Sequence, residues 1–176
     1  MNINSELKLK LSRYCDIENV SKTILNTSNI FNIENLENQS DLLINYALIN
    51  NIRRINKFHE SINQNIEMGG FYISCGETLS ERRKRNLNKS PYGFKNIFLF
   101  IDFIYKRVVP KVPIFKNIYF AITGGRNRVL SKTEILGRII SCGFNIIEYF
   151  EDENLLYVIS KKINSPQFDM NASYGF

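Results

Sequence analysis

The chain has 176 residues, 44% of them apolar and 23% charged, an ordinary balance for one globular domain with a real hydrophobic core. Its net charge of +6 points toward anionic partners, and its three cysteines, Cys15, Cys75 and Cys142, are too few and too scattered for a disulfide framework or a zinc site. No apolar run reaches the roughly 18 residues of a membrane-spanning helix, and the opening "MNINSELKLKLSRYC" lacks the apolar centre of an export signal, so a cytoplasmic setting is expected.

Ile3, Leu7, Leu11 and Cys15 share one face of an amphipathic opening helix. "KTILNT" reads as a strand, the asparagine-rich "NIFNIENLENQS" as a loop, and "DLLINYAL", Asp41 to Leu48, as a buried strand. From Asn50 the pattern turns helical, with Ile52, Ile55, Phe58 or His59, Ile62 and Ile66 on one face. Met68, Gly69 and Gly70 are expected to end that helix, and "FYISC" to begin the next strand. Strand, helix, glycine turn and strand make a crossover unit, which implies a parallel pair in an α/β sheet.

"LSERRKRNLNKS" reads as a basic helix closed by Pro91 and Gly93, and "FKNIFLFIDFIYKRVV" is apolar on nearly every side. Ser131 and Glu134 match a capping box, in which the glutamate reaches back to the cap. Ile135, Leu136, Ile139 and Ile140 then form a buried stripe, and Gly143 is the stop. "FNIIEYF" and "LLYVISKK" are strands of a hairpin joined through "EDEN". The expected organisation is a single α/β domain over residues 1–163, with a helical basic-aromatic insertion at about 79–125 and a linker-like tail over 164–176.

Gly69 and Gly70 invite a phosphate-loop reading, which the order of elements opposes. A phosphate loop follows a strand and precedes a helix, so that free amides and the positive dipole end face the anion. Here the glycines follow a helix, whose C-terminal end is negative, and a structural turn is the better reading. Ligands of open α/β sheets bind beyond the carboxyl ends of strands, which makes Cys75, Gly76, Glu77 and Thr78 the candidate ligand pocket. Two basic groups, Arg82, Arg83, Lys84 and Arg85 and then Lys106, Arg107 and Lys111, are candidate contacts for an anion or a membrane surface. His59, the single histidine, lies beside the buried helical face without triad partners and is read as a packed residue. No catalytic residue and no metal site can be named, and no nucleic-acid recognition motif is present.

The segments "INQNIEMGGFYIS", "LSKTEILGRIISCGFNIIEYF" and "LLYVISKK" resemble, in order and content, the C-terminal half of a class I S-adenosylmethionine-dependent methyltransferase. The resemblance covers about residues 41–162 and implies a Rossmann-like, truncated sheet that closes in an antiparallel hairpin. The family's cofactor site needs a glycine-rich loop after the first strand and an acid after the second, and no G-x-G occurs before Gly69. A second resemblance rests on "INNIRRINKFHESINQNIEMGGFYISCGET", "DFIYKRVVPKVPIFKNIYFAITGGRNRVLSKTEILGRIISCGF" and "DMNASYG". These are similar to the N-terminal cytoplasmic region of Bacteroidetes-type exopolysaccharide-initiating sugar transferases, of the polyisoprenyl-phosphate sugar-1-phosphate transferase family. That similarity implies an accessory, non-catalytic domain without a cofactor. Its partner would be a sugar transferase catalytic domain or a membrane surface, met at the inner face of the membrane. The alternative is a methyltransferase, whole or in part, using S-adenosylmethionine.

Overall fold

Leu42, Leu43 and Ile44 are consecutive and all fully buried, which a strand achieves only when both faces of its sheet are covered. In the computed structural model, which describes residues 5–89, 97, 100–102, 104, 108, 112, 124 and 126–166, they lie in the second strand of a mixed sheet. Helix α1 spans Ser5–Leu11, strand β1 Lys22–Leu25, the one-turn helix α2 Phe31–Glu34 and strand β2 Ser40–Leu48. Helix α3, Ile55–Gln64, leads into β3, Ile66–Gly76, and helix α4 spans Leu79–Lys89. Helix α5 covers Lys132–Ser141, and strands β4, Phe144–Asp152, and β5, Leu155–Lys162, form the hairpin.

The sheet order is β1-β2-β3-β5-β4. Strands β1, β2 and β3 are parallel, and β5 enters antiparallel between β3 and β4. The hairpin turn places Glu153 and Asn154 at φ 47° and 64°, the left-handed pair that a two-residue turn of type I′ requires. One face of the sheet packs Leu43, Tyr72, Leu156 and Val158 against Phe58 and Ile62 of α3 and Ile135 and Ile139 of α5. The other face packs Leu42, Ile44, Ile73 and Ile159 under Leu7 and Leu11 of α1. Full burial of such side chains contributes about 1.5–3 kcal/mol each, so the paired faces hold the sheet.

Four expectations change. Helix α3 starts at Ile55, since Ile49–Asn51 form a separate 3-10 turn, and it ends at Gln64. Gly69 and Gly70 therefore sit inside β3 and form a bulge, across which the register jumps from Ser40↔Ile66 to Leu42↔Phe71. Gly69 takes φ +83°, and a Cβ on Gly70 would lie 2.8 Å from the Asp41 carbonyl oxygen. The pair serves a strand bulge rather than a helix-ending turn. In α5 the Ser131 side chain caps as expected, accepting from the Glu134 amide at 3.2 Å. The Glu134 carboxylate instead accepts from Arg138 one turn onward. Ile140 is 55% exposed, so the buried stripe of this helix reduces to Ile135 and Ile139.

His59 is fully buried between Phe58 and Tyr72, with Nδ1 3.2 Å from the Tyr72 hydroxyl. Burial, with a smaller contribution from the Arg138 charge, holds its imidazole pKa down at about 3. The unfolded chain takes up a proton as pH falls through about 6.5, and the folded chain does not. Stability is therefore lost as pH falls below the unfolded value, by about 2 kcal/mol between pH 7 and pH 5. Urea midpoints of the native chain and His59→Phe at both pH values check this. The native chain should show the extra acid loss and the variant should not; parallel pH responses would refute the buried neutral histidine.

Candidate functional site

The carboxyl ends of β1, β2 and β3 lie side by side, because these strands are parallel and neighbouring. Each end is closed by side chains. Asn45, 2% exposed near the end of β2, donates from Nδ2 to the Thr27 carbonyl and accepts at Oδ1 from the Thr27 amide, both at 3.0 Å. Asn50 lies just past β2 and accepts at Oδ1 from the Glu77 amide at 2.7 Å. Its Nδ2 donates to the carbonyls of Glu77 and Arg128, at 2.9 and 2.7 Å. One amide thus ties the ends of β2 and β3 to the segment that leads into α5.

The residues Cys75, Gly76, Glu77 and Thr78 stand at the carboxyl end of β3, and all four are buried. The Cys75 thiol is pushed up to about 12 by burial, which leaves it protonated and unreactive at neutral pH. A Cβ on Gly76 would lie 3.3 Å from both Asn50 Oδ1 and Ile135 Cδ1, so the backbone here is packed rather than open. The Thr78 hydroxyl accepts from the Glu81 amide at 3.2 Å and caps α4. Glu77 supplies the charge. Its carboxylate meets Arg82 Nη1 at 3.4 Å and Arg85 Nε at 3.1 Å.

Arg82, expected to meet an anion or a membrane at the surface, is turned inward and is 4% exposed. Its position on the first turns of α4 aims the side chain back over the end of β3. The guanidinium grips Asp102 through Nε and Nη2 at 3.1 and 3.3 Å, and donates from Nη1 to Asn127 at 2.7 Å. Asn127 holds φ 56°, a left-handed conformation that asparagine tolerates, and its amide donates to Asn51. Arg83 and Lys84 face outward, and Arg85 is half-exposed. Lys106, Arg107 and Lys111 lie outside the described residues, as does most of the basic-aromatic segment. Among the described residues, no helix is long and apolar enough to cross a membrane and no cluster of metal-binding side chains occurs.

At the opposite, amino-terminal end of β1 and β2 an open groove of about 420 Å³ is lined by Ser21 to Thr23 and Asn35 to Ser40. The sequence gives no chemical signal there. Asn45, Asn50, Asp102 and Asn127 also escape sequence reading, because asparagines abound and the partners are far apart in the chain. Asn50 and Arg128, for example, are separated by 78 positions.

No protein-family model matches the chain, and no curated protein matches it. Similar solved structures include "PigF with SAH", at 13% identity and a TM-score of 0.45, covering 76% of this chain and 33% of that one. A methyltransferase from Methanosarcina mazei shares 10% identity at a TM-score of 0.45, covering 74% of this chain and 64% of its own. The methyltransferase of Thermotoga maritima described as a possible histamine N-methyltransferase shares 13% identity at a TM-score of 0.41, covering 74% and 61%. The chain spans about a third to two fifths of the length of the first similar structures. The fold is a Rossmann-like α/β sheet, with parallel strands closed by an antiparallel hairpin. The expected role as an accessory, non-catalytic sugar transferase domain is corrected here: the similar structures from Methanosarcina mazei and Thermotoga maritima are described as S-adenosylmethionine-dependent methyltransferases, in line with the alternative expectation.

The residues present do not fit S-adenosylmethionine. Asn26, Thr27 and Ser28 follow β1 where a glycine loop would be needed, and the Thr27 backbone is already bound by Asn45. The chain then passes through the single turn of α2 into β2, so no long helix points its free amides at the end of β1.

Proposed function

We propose that the chain is part of an S-adenosylmethionine-dependent methyltransferase-type domain. It supplies a parallel β1-β2-β3 run closed by the β4–β5 hairpin, and the carboxyl end of β3 lies on the substrate side. The observation that supports this reading is β5, the antiparallel strand inserted between β3 and β4 beside a parallel β1-β2-β3 run. What these residues do on their own is close the end of the sheet, through Asn50, and place Glu77 and Arg82 there.

Titration of S-adenosylhomocysteine into the chain is the direct test. With Asn45 closing the end of β1, no saturable heat is expected up to about 1 mM ligand, a level that corresponds to about −4 kcal/mol of binding. A micromolar dissociation constant would make the chain a complete binding domain and overturn the partial reading. A Ser74→Cys, Val158→Cys pair, directly opposed in the β3–β5 register, should oxidise to a disulfide. Its failure to form would remove the strand order on which the reading stands.

A further inference from the structure

Exposed apolar side chains such as Phe31, Met68 and Ile163 stand far apart in the chain, and single ones are ordinary on a protein surface. Residues 97–108 differ. Ile97, Phe100, Ile101, Ile104 and Val108 lie in helical backbone, with exposures from 36% at Ile104 to 65% at Phe100. Steps of three and four residues place all five on one arc of about 100°. Asp102 stands on roughly the opposite side and points inward, accepting from Arg82 at 3.1 and 3.3 Å and from Asn86 at 3.3 Å. A helix on a globular surface normally turns its apolar stripe in and its charges out. Here the acid is held inside and the apolar stripe faces out.

The surrounding charge is one-sided. Between Glu81 and Glu134, Asp102 is the only acid, and thirteen of the chain's 23 lysines and arginines fall there. That single negative charge is directed at Arg82. We propose that Ile97, Phe100, Ile101, Ile104 and Val108 form a membrane-binding face whose partner is the surface of an anionic phospholipid bilayer. The apolar stripe enters the acyl boundary, and the excess cations of the stretch draw it to lipid phosphates. Among the described residues no helix is long and apolar enough to cross a bilayer, so the contact is interfacial. A second copy of the chain is disfavoured as the occupant, because pairing the same face would bring two strongly basic stretches together. A nucleic acid would satisfy the charge but leave the four aliphatic side chains of the stripe uncovered. The membrane face stands apart from the methyltransferase-type reading, and either can fail alone.

Vesicle flotation of the full chain tests the proposal. Vesicles of phosphatidylcholine with about a third phosphatidylglycerol should carry the chain upward, and pure phosphatidylcholine vesicles should carry about tenfold less. Phe100→Ser, Ile101→Ser should weaken binding to the anionic vesicles about tenfold or more. The same change should leave the Tm where it was, because both side chains are already exposed. Leu9→Ser, at an apolar side chain 64% exposed on α1, is the control and should bind as the native chain does. The chain has no tryptophan, so Phe100→Trp provides a single reporter. Its emission should shift to the blue on anionic vesicles and be quenched by bromine-labelled lipid. Equal, negligible flotation with both vesicle types would overturn the proposal, as would unshifted Phe100→Trp emission or an equal loss in Leu9→Ser. Binding undiminished in Phe100→Ser, Ile101→Ser would overturn it in favour of a polyanion held by charge alone, such as a nucleic acid. A lipid-free dimer that the same double substitution dissolves would also overturn it and give the face to a second copy.

Discussion

Glu77→Gln should destabilise the domain by about 3–5 kcal/mol, the cost of removing one partner from a buried ion pair. The substitution keeps the shape and removes the charge, so packing is not the variable. Arg82, with 5% of its side chain exposed, then loses one of its two carboxylates and keeps Asp102, with the Arg85 charge nearby. Most of the loss comes from Arg82, since Arg85 has 40% of its side chain in contact with water and its pairing is screened. Urea unfolding should show a lower midpoint with an unchanged slope. Glu77→Gln, Arg85→Gln restores the charge balance and should recover part of the loss. A Glu77→Gln penalty under about 1 kcal/mol would mean that the cluster behaves as a surface pair, contrary to its burial.

Gly143→Ala should cost about 2–5 kcal/mol, from two sources that add. Gly143 takes φ +88° at the step from α5 into β4, where an L-residue is strained. A Cβ there would also lie 2.4 Å from the Asn164 carbonyl oxygen and 2.8 Å from Asn63 Nδ2. That oxygen is backbone and cannot swing away. It accepts from Asn63 Nδ2 at 2.9 Å, and the same nitrogen donates to the Cys142 carbonyl at 2.8 Å. Lys162 completes the junction by donating to the carbonyls of Asn63 and Ile66. Displacing Asn164 thus loosens the ends of α3, α5 and β5 together. Gly137→Ala is the control, because nothing lies within 4 Å of its added Cβ and it stands within α5. It should raise stability by about 0.5–1 kcal/mol, the usual gain of alanine over glycine in a helix. Equal effects at the two glycines would refute the junction.

The strands and helices were legible wherever the signal is local. Apolar runs gave β2 and β5, the four-residue spacing gave α1 and α3, and Ser131 with Gly143 bracketed α5. The glycine pair was misplaced because a bulge is a property of two strands. Gly69 and Gly70 can be told from a helix stop only once the β2 register is known. Ile140 failed for a related reason, since the apolar arc of α5 is wider than the surface it covers. Site reading stopped at the same limit. The rule that ligands sit beyond strand ends found Cys75 to Thr78, but what occupies that place comes from Asn50, Asp102 and Asn127. Their partners lie 27, 20 and 45 positions away, beyond the reach of any periodicity.

Sequence alone determined an α/β sheet with a closing hairpin, because side-chain periodicity and turn chemistry act between near neighbours. It also determined that no glycine loop precedes Gly69. Tertiary structure decided which cations face water and which are consumed inside. Arg82 and Arg83 are adjacent in the chain, yet one is buried in ion pairs with two carboxylates and the other is exposed. The physical reason is that helix α4 turns successive side chains through about 100°, and only its docking on the end of β3 selects the one that goes in.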